Sequence, residues 1–256
     1  MFVNVGGIMN KLKGFVFIMV FAFGIYTYNT HKIAKEPQEI VVEEVTPTYN
    51  YFPKVTTIAF KQETNLEKNG FINLKDIESN IGIELRYASD NNFTGSQVYP
   101  SIAFAALRVG TAEKLAAANE ELYKLGFRIK VWDAYRPRRY QYTLRDAAEK
   151  QNPRTASYIA SPISGSNHNR GTAVDITLTD LEGHEVTMPT DFDHFGSESS
   201  IHYTKCTLEQ ISNRELLGKT MEKHGFRRIA SEWWHFDDVD AKDYELMDLD
   251  FNELYR

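Results

Sequence analysis

The chain has 256 residues with 42% hydrophobic and 13% aromatic content, which suits one globular domain of ordinary size and excludes a disordered or collagen-like chain. A formal net charge of -6 argues against the basic face of a general phosphate-backbone binder, so nucleic acid is not an expected partner. The single cysteine, Cys206, rules out an intramolecular disulfide and reads as a small half-buried side chain rather than a reactive thiol.

In chain order, Lys11 and Lys13 precede an uncharged apolar run from Gly14 to Tyr26, the charge-then-apolar pattern of an export signal. The run is short for a spanning helix, although Tyr26 and Tyr28 at an interface would extend it. Residues 1–30 therefore read as a signal peptide or membrane anchor, with 14–28 as the candidate tether and a periplasmic or envelope-facing location implied. Residues 31–60 mix prolines with acidic residues, show no sustained period, and read as a linker. The folded domain is expected over 61–256, with no internal repeat.

Within it, residues 81–87 alternate as a half-buried strand and lead into the turn-rich stretch 89–92. Residues 111–125 form a predicted amphipathic helix with Thr111 as N-cap and Gly126 at its end. Residues 127–133 alternate as a strand, 140–150 look helical, and 173–178 look strand-like. A helix over 208–224 is closed by Gly225, and the segment around 231–236 is extended. Helices alternating with strands, partly joined by short turns, predict an α+β fold: a compact single domain with a small central antiparallel sheet, flanked by helices and carrying the metal site.

Two distant segments carry the chemistry, Ser166-Asn-His-Asn-Arg-Gly-Thr-Ala-Val-Asp175 and Ser231-Glu-Trp-Trp-His-Phe236. Taken singly, a strand histidine is usually structural and an aspartate near a turn is usually a cap. Together, His168, Asp175 and His235 supply two imidazoles and a carboxylate, and Glu232 adds a second carboxylate three residues from a ligand. That is the minimum set for a hydrolytic Zn2+ centre with one ion per chain and an open coordination position. Trp233 and Trp234 read both as aromatic core and as a water-excluding wall. Arg136, just before Pro137, presents fixed donors suited to a tetrahedral oxyanion. His184, His194, His202 and His224 read as structural or solvated, and the acidic stretch 237–250 as a solvated face or strand end.

The spacing Ser166-x-His168-x-x-Gly171-x-Ala173-x-Asp175, with Glu232-Trp-Trp-His235, Asp133-Ala-Tyr-Arg-Pro137 and Tyr87-Ala-Ser-Asp-Asn-Asn-Phe-Thr-Gly95, resembles the D-alanyl-D-alanine dipeptidases of the vancomycin-resistance type. The first motif is shared with the wider group of D-alanyl-D-alanine carboxypeptidases and murein endopeptidases; the Asn-Phe-Thr-Gly and Glu-Trp-Trp-His-Phe segments are narrower and point to the dipeptidase branch. The resemblance implies a compact α+β domain in which His168, Asp175 and His235 bind zinc. It also implies that Glu232 is the catalytic base, that Arg136 stabilises the transition-state oxygen, and that Ser166 lies near the substrate. Asp193 would meet the substrate ammonium, with Asp191 as the alternative.

The implied substrate is a small D,D-dipeptide, cleaved to two D-alanines, and no protein partner is expected. The alternatives are a D,D- or L,D-carboxypeptidase or endopeptidase acting on stem peptides, and a non-catalytic cell-wall-binding domain. The best-known resistance enzymes lack an apolar leader, so the leader here favours an envelope-facing role such as recycling released dipeptide.

Overall fold

The computed structural model describes residues 64–77 and 80–255, together with the backbone of 18–21 and 24–27. The chain divides into two units, Met1–Ile58 and Ala59–Arg256. In the first, β1 (Ile18–Phe21) and β2 (Gly24–Thr27) pair antiparallel. The rest of the expected leader (1–30) and linker (31–60) lies outside the described residues. Among the described residues, no helix is long and apolar enough to cross a membrane.

The second unit opens with α1 (Asn65–Lys68) and β3 (Phe71–Asn73), followed by β4 (Gly82–Ile83) and β5 (Ala106–Arg108). Next come α2 (Val109–Tyr123), β6 (Phe127–Asp133), α3 (Arg138–Gln151) and α4 (Pro153–Tyr158). The chain ends with β7 (Ala173–Asp180), α5 (Leu208–Lys223), β8 (Phe226–Ile229), β9 (Glu232–Asp238) and α6 (Phe251–Tyr255). The main sheet has the order β4-β6-β7-β9-β8, and β3 pairs with β5 in a separate two-stranded sheet.

The α+β class and the sheet flanked by helices agree with the sequence reading. The β6–β7, β7–β9 and β8–β9 pairs are antiparallel, whereas β4 at the edge runs parallel to β6. The strand expected over 81–87 shrinks to Gly82–Ile83 because the chain leaves the sheet for a one-turn 3-10 helix at Arg86–Ala88. There Arg86 stacks 5.1 Å from the Trp132 ring and pairs with Glu84 and Glu185.

The helix expected from Thr111 begins at Val109 instead. β5 runs into α2 without a loop, so Thr111 lies inside the first turn. Its buried hydroxyl donates to Asp238 Oδ2 at 2.6 Å rather than capping the helix.

β7 is the central strand, buried at its first seven positions. Strand periodicity separates its faces, with Val174, Ile176 and Leu178 on one side and Ala173, Asp175 and Thr177 on the other. The first set joins Ile129 and Val131 of β6, Phe236 of β9, Leu115 and Leu122 of α2, and Leu217 and Met221 of α5 in one core. Full burial of each such aliphatic side chain contributes about 1.5–3 kcal/mol before conformational entropy is counted. Helices α2 and α5 thereby seal one face of the sheet, leaving the other to carry the polar side chains of the site.

Candidate metal centre

Register aligns the site across three strands. Asp133 of β6 lies opposite Asp175 of β7, and Asp175 lies opposite His235 of β9. A register shift between Val131 and Asp133 accompanies the turn of Asp133 toward this row. His168 arrives from a one-turn 3-10 helix, Asn167–Arg170, capped by Ser166, whose Oγ accepts from the His168 N–H. Gly171 then reverses the chain into β7 at φ 73, a left-handed conformation that a residue with a Cβ resists. An added Cβ there would also overlap the Phe71 ring.

Three donor atoms converge. His168 Nε2 lies 3.3 Å from Asp175 Oδ1 and 3.2 Å from His235 Nδ1, and His235 Nδ1 lies 2.9 Å from Asp175 Oδ1. All three residues are buried, and among the described residues they form a group able to hold a metal ion. The outer nitrogens have partners as well: His168 Nδ1 meets the Ala134 carbonyl at 2.7 Å, and His235 Nε2 meets Asp237 Oδ1 at 3.0 Å. Because a carbonyl and a carboxylate only accept, these partners assign the ring protons to the outer nitrogens, and both inner nitrogens then present lone pairs to the cluster.

The same cavity, about 270 Å³, is lined by Tyr87, Arg136, Gln141, Ser166, Asp193, Glu232, Trp234 and Asp237 as well as the three cluster residues. All seven site residues singled out in the sequence meet there. Glu232 and His235 are three apart, an odd spacing that points to opposite faces of a regular strand. β9 is irregular at that point: Ile229 of β8 pairs with Glu232 while Arg228 pairs with Phe236. This shift is what lets both side chains reach one cavity. Trp234 lines the cavity and belongs to the core; Trp233 is wholly core, with its Nε1–H donating to Thr190 Oγ1 at 2.9 Å.

Arg136 is clamped. Its NH2 donates to Asp133 Oδ2 at 2.6 Å, its Nε to the same oxygen at 3.0 Å, and its NH1 to Gln141 Oε1 at 2.8 Å. Asp133 is wholly buried and also accepts from the Tyr99 hydroxyl at 2.9 Å. Asp193 adopts φ 57, unusual for a residue other than glycine, and accepts from the Tyr87 hydroxyl at 3.0 Å. Of the two candidate aspartates, Asp193 lines this cavity; Asp191 is exposed and lines neighbouring surface clefts instead.

The electrostatics follow from burial and charge. Burial pushes Glu232 up to about 7, with His235 opposing and Asp175 reinforcing the rise. Burial, followed by the nearby Asp175 carboxylate, pushes Asp193 well above the usual carboxylate range despite the Tyr87 hydrogen bond. Burial also acts to raise Asp175, but His168 and His235 outweigh it and hold that carboxyl low. For Asp237, burial is again overcome by the His235 hydrogen bond, leaving its carboxyl at about 2.

Asp237 and Asp238 form the end of β9, the strand-end alternative of the sequence reading, and overturn the alternative of a solvated face. Both are buried, Asp237 against His235 and Asp238 against Thr111 and Lys114. Period two in β9 puts Asp237 on the His235 face, a signal present in the sequence but hidden by the acidic run around it. Asp133, Gln141 and Tyr87 were also missed as site residues, because their roles depend on contacts to Arg136 and Asp193. Among the other histidines, His184, His194 and His224 pair with Asp180, Glu198 and Glu121 away from the cavity, as expected of structural or solvated residues.

A D-ala-D-ala dipeptidase family profile matches residues 67–253. A D-alanyl-D-alanine dipeptidase of Escherichia coli is 34% identical over 176 residues, covering 69% of this chain and 88% of that protein. One from Enterococcus faecalis is 33% identical over 210 residues, covering 73% and 96%. A crystal structure of a vancomycin-resistance D,D-pentapeptidase mutant with Zn(II) superposes with a TM-score of 0.38 at 16% identity, over 54% of this chain and 75% of that one. By the extent of the family match and the identity to these relatives, the chain belongs to the D-Ala-D-Ala dipeptidase family of peptidases.

Proposed function

We propose that this protein is a zinc-dependent dipeptidase that hydrolyses free D-alanyl-D-alanine to two D-alanines. The observation that carries the reading is the triangle of His168 Nε2, Asp175 Oδ1 and His235 Nδ1, with edges of 2.9–3.3 Å. Tetrahedral zinc bonds of about 2.0–2.2 Å separate neighbouring ligand atoms by about 3.3–3.6 Å. Three lone pairs packed this closely, with the ring protons turned outward, call for a cation. The nitrogen and oxygen donors, leaving a fourth position open, suit a catalytic zinc. Zinc held there would polarise the scissile carbonyl and lower the pKa of a water in the open position to about 7.

The protein's own residues divide the remaining work. Glu232, at the cavity wall and raised to about 7, accepts the proton of the attacking water and delivers it to the leaving amine. Arg136, fixed by Asp133 and Gln141, holds its guanidinium ready for the oxyanion without reorganising. Asp193 is a half-buried carboxylate short of a cation, and the substrate ammonium supplies one. An acylated amine would leave it unpaired, which favours the free dipeptide over a stem peptide. The Ser166 hydroxyl accepts from the His168 N–H and keeps its own proton to donate to substrate. The cavity of about 270 Å³ falls below the ~300–1,000 Å³ of drug-sized pockets, in keeping with a small substrate.

The charge-then-apolar segment over residues 11–26 supports export or tethering, and hence an envelope-facing enzyme that recovers released dipeptide. Fractionation of the native host tests this: recovery in the envelope or periplasm is expected, and recovery in the cytoplasm alone overturns it. For the activity, the zinc-loaded protein is given D-alanyl-D-alanine and an acylated stem peptide in parallel. Cleavage of the free dipeptide is expected; cleavage confined to the acylated peptide overturns the assignment in favour of a carboxypeptidase.

A further inference from the structure

We infer that Asp237 is the positioning residue for His235, accepting the Nε2 proton of that ring and so committing its Nδ1 to the metal. The inference rests on the zinc reading above and goes beyond it by assigning a role to a residue outside the motif.

The geometry begins in β9. Residues two apart on a strand share a face, so Asp237 stands beside His235, with Ala173 of β7 opposite it in register. A small residue at that position opposite Asp237 leaves the carboxylate room beside the ring. Its Oδ1 lies 3.0 Å from His235 Nε2, and the Asn167 side chain also hydrogen-bonds to Asp237. Oδ2 faces Arg227 NH2 at 3.4 Å, but the Arg227 side chain is 56% exposed while that of Asp237 is 9% exposed. An exposed arginine pair of that kind is worth little and does not explain a buried carboxylate, which is costly unless it is hydrogen-bonded. The His235 ring supplies the buried partner.

The two imidazoles of the cluster are therefore held differently. His168 turns Nε2 inward and hydrogen-bonds through Nδ1 to the carbonyl of Ala134, with Asp133 Oδ2 3.7 Å from that nitrogen, whereas His235 turns Nδ1 inward and hydrogen-bonds through Nε2 directly to a carboxylate. An anionic partner fixes the tautomer more firmly and makes the ring a more basic ligand. The affinity of the centre therefore depends on Asp237, which makes the direct carboxylate contact to its ligand ring.

Two measurements on the full chain test this. Zinc affinity is read by competition with a chromophoric chelator at fixed neutral pH, for wild type and Asp237→Asn, alongside the melting temperature of each metal-free protein. The isosteric amide is expected to weaken zinc binding about 10–100-fold with little change in metal-free melting. Independently of any variant, 15N-histidine spectra of zinc-loaded wild type should show His235 metallated at Nδ1 and protonated at Nε2. Unchanged affinity in a folded Asp237→Asn protein, or metal on Nε2 of His235, overturns the inference while leaving the dipeptidase reading intact. Failure of wild type to bind zinc would instead sink that reading itself.

Discussion

Asp133 and Asp175 face each other across β6 and β7, two buried carboxylates in direct register. Like charges placed opposite one another on a sheet repel. Here the two share one counter-charge. Asp133 holds Arg136 NH2 at 2.6 Å, and the same nitrogen lies 3.9 Å from Asp175 Oδ2. Asp175 otherwise faces the two imidazoles. The guanidinium therefore sits between the clamp and the metal cluster, placed by one carboxylate beside the other.

Removing Asp133 takes the nearest carboxylate away from that guanidinium and the acceptor away from the Tyr99 hydroxyl, both in the interior. Asp133→Ala is expected to destabilise the protein by about 3–5 kcal/mol, the usual result of breaking a buried ion pair by deleting one partner. Urea unfolding of the metal-free protein measures this. Asp133→Asn, which keeps the shape and part of the hydrogen bonding, should lose less stability yet still lower kcat because Arg136 is less firmly aimed.

Glu232→Gln is expected to retain stoichiometric zinc and lose turnover by about 10²–10⁴-fold, the range attributed to a general base. Metal analysis and steady-state kinetics on the same preparation separate this outcome from that of a silent binding module. Such a module would be indifferent to the change.

The pH profile has a definite sign. As a base, Glu232 works as the carboxylate, so activity rises with pH through its pKa. Burial places that value at about 7 in the absence of a cation, and a bound cation draws it lower. The acid limb of kcat/KM is therefore expected below 7 and should disappear in Glu232→Gln. In the metal-free protein the linkage runs the other way. A carboxyl raised from 4.5 to about 7 on folding contributes stability that is fully present below 4.5 and lost as pH rises through 7, a trend that melting temperatures across that window would register.

Gly171→Ala should damage both stability and the metal site. The position has φ 73, and its Cβ would strike the Phe71 ring. The left-handed conformation alone costs about 1–2 kcal/mol for a residue with a side chain. Since Gly171 joins the His168 turn to β7, relief of the overlap is expected to shift His168 and weaken zinc binding, read by thermal melting and chelator competition.

Chelation supplies the complementary test. A ligand at about 1,000 times its Kd stabilises the folded state by about 4 kcal/mol. Zinc in such excess should raise the melting temperature, chelator should reverse the rise and abolish hydrolysis, and re-addition of zinc should restore both.

Much of this was legible in the chain itself. Period two marked residues 127–133 as a strand, period 3.6 with glycine ends marked α2 and α5, and the two motifs named the three cluster residues and Glu232. These features are local: hydrophobic periodicity, a turn glycine and residue chemistry act over a few positions. Local reading failed where a distant group claimed the side chain. Thr111 reads as an N-cap until Asp238 takes its hydroxyl, and the strand around residue 84 reads longer than it is until Trp132 and Glu185 draw Arg86 away. Asp237 reads as part of a solvated face or strand end until β9 carries it to the His235 ring.

The sequence by itself determined which donors are available and which strands and turns carry them, because residue type and short-range spacing set both. Only the tertiary structure decided that Glu232 shares a cavity with His235 despite an odd spacing, which nitrogen of each imidazole faces the cluster, and which of Asp191 and Asp193 enters the site. Those outcomes depend on β-bulges, strand register and loop packing. Such features arise from contacts between residues far apart in the chain, and no local pattern encodes them.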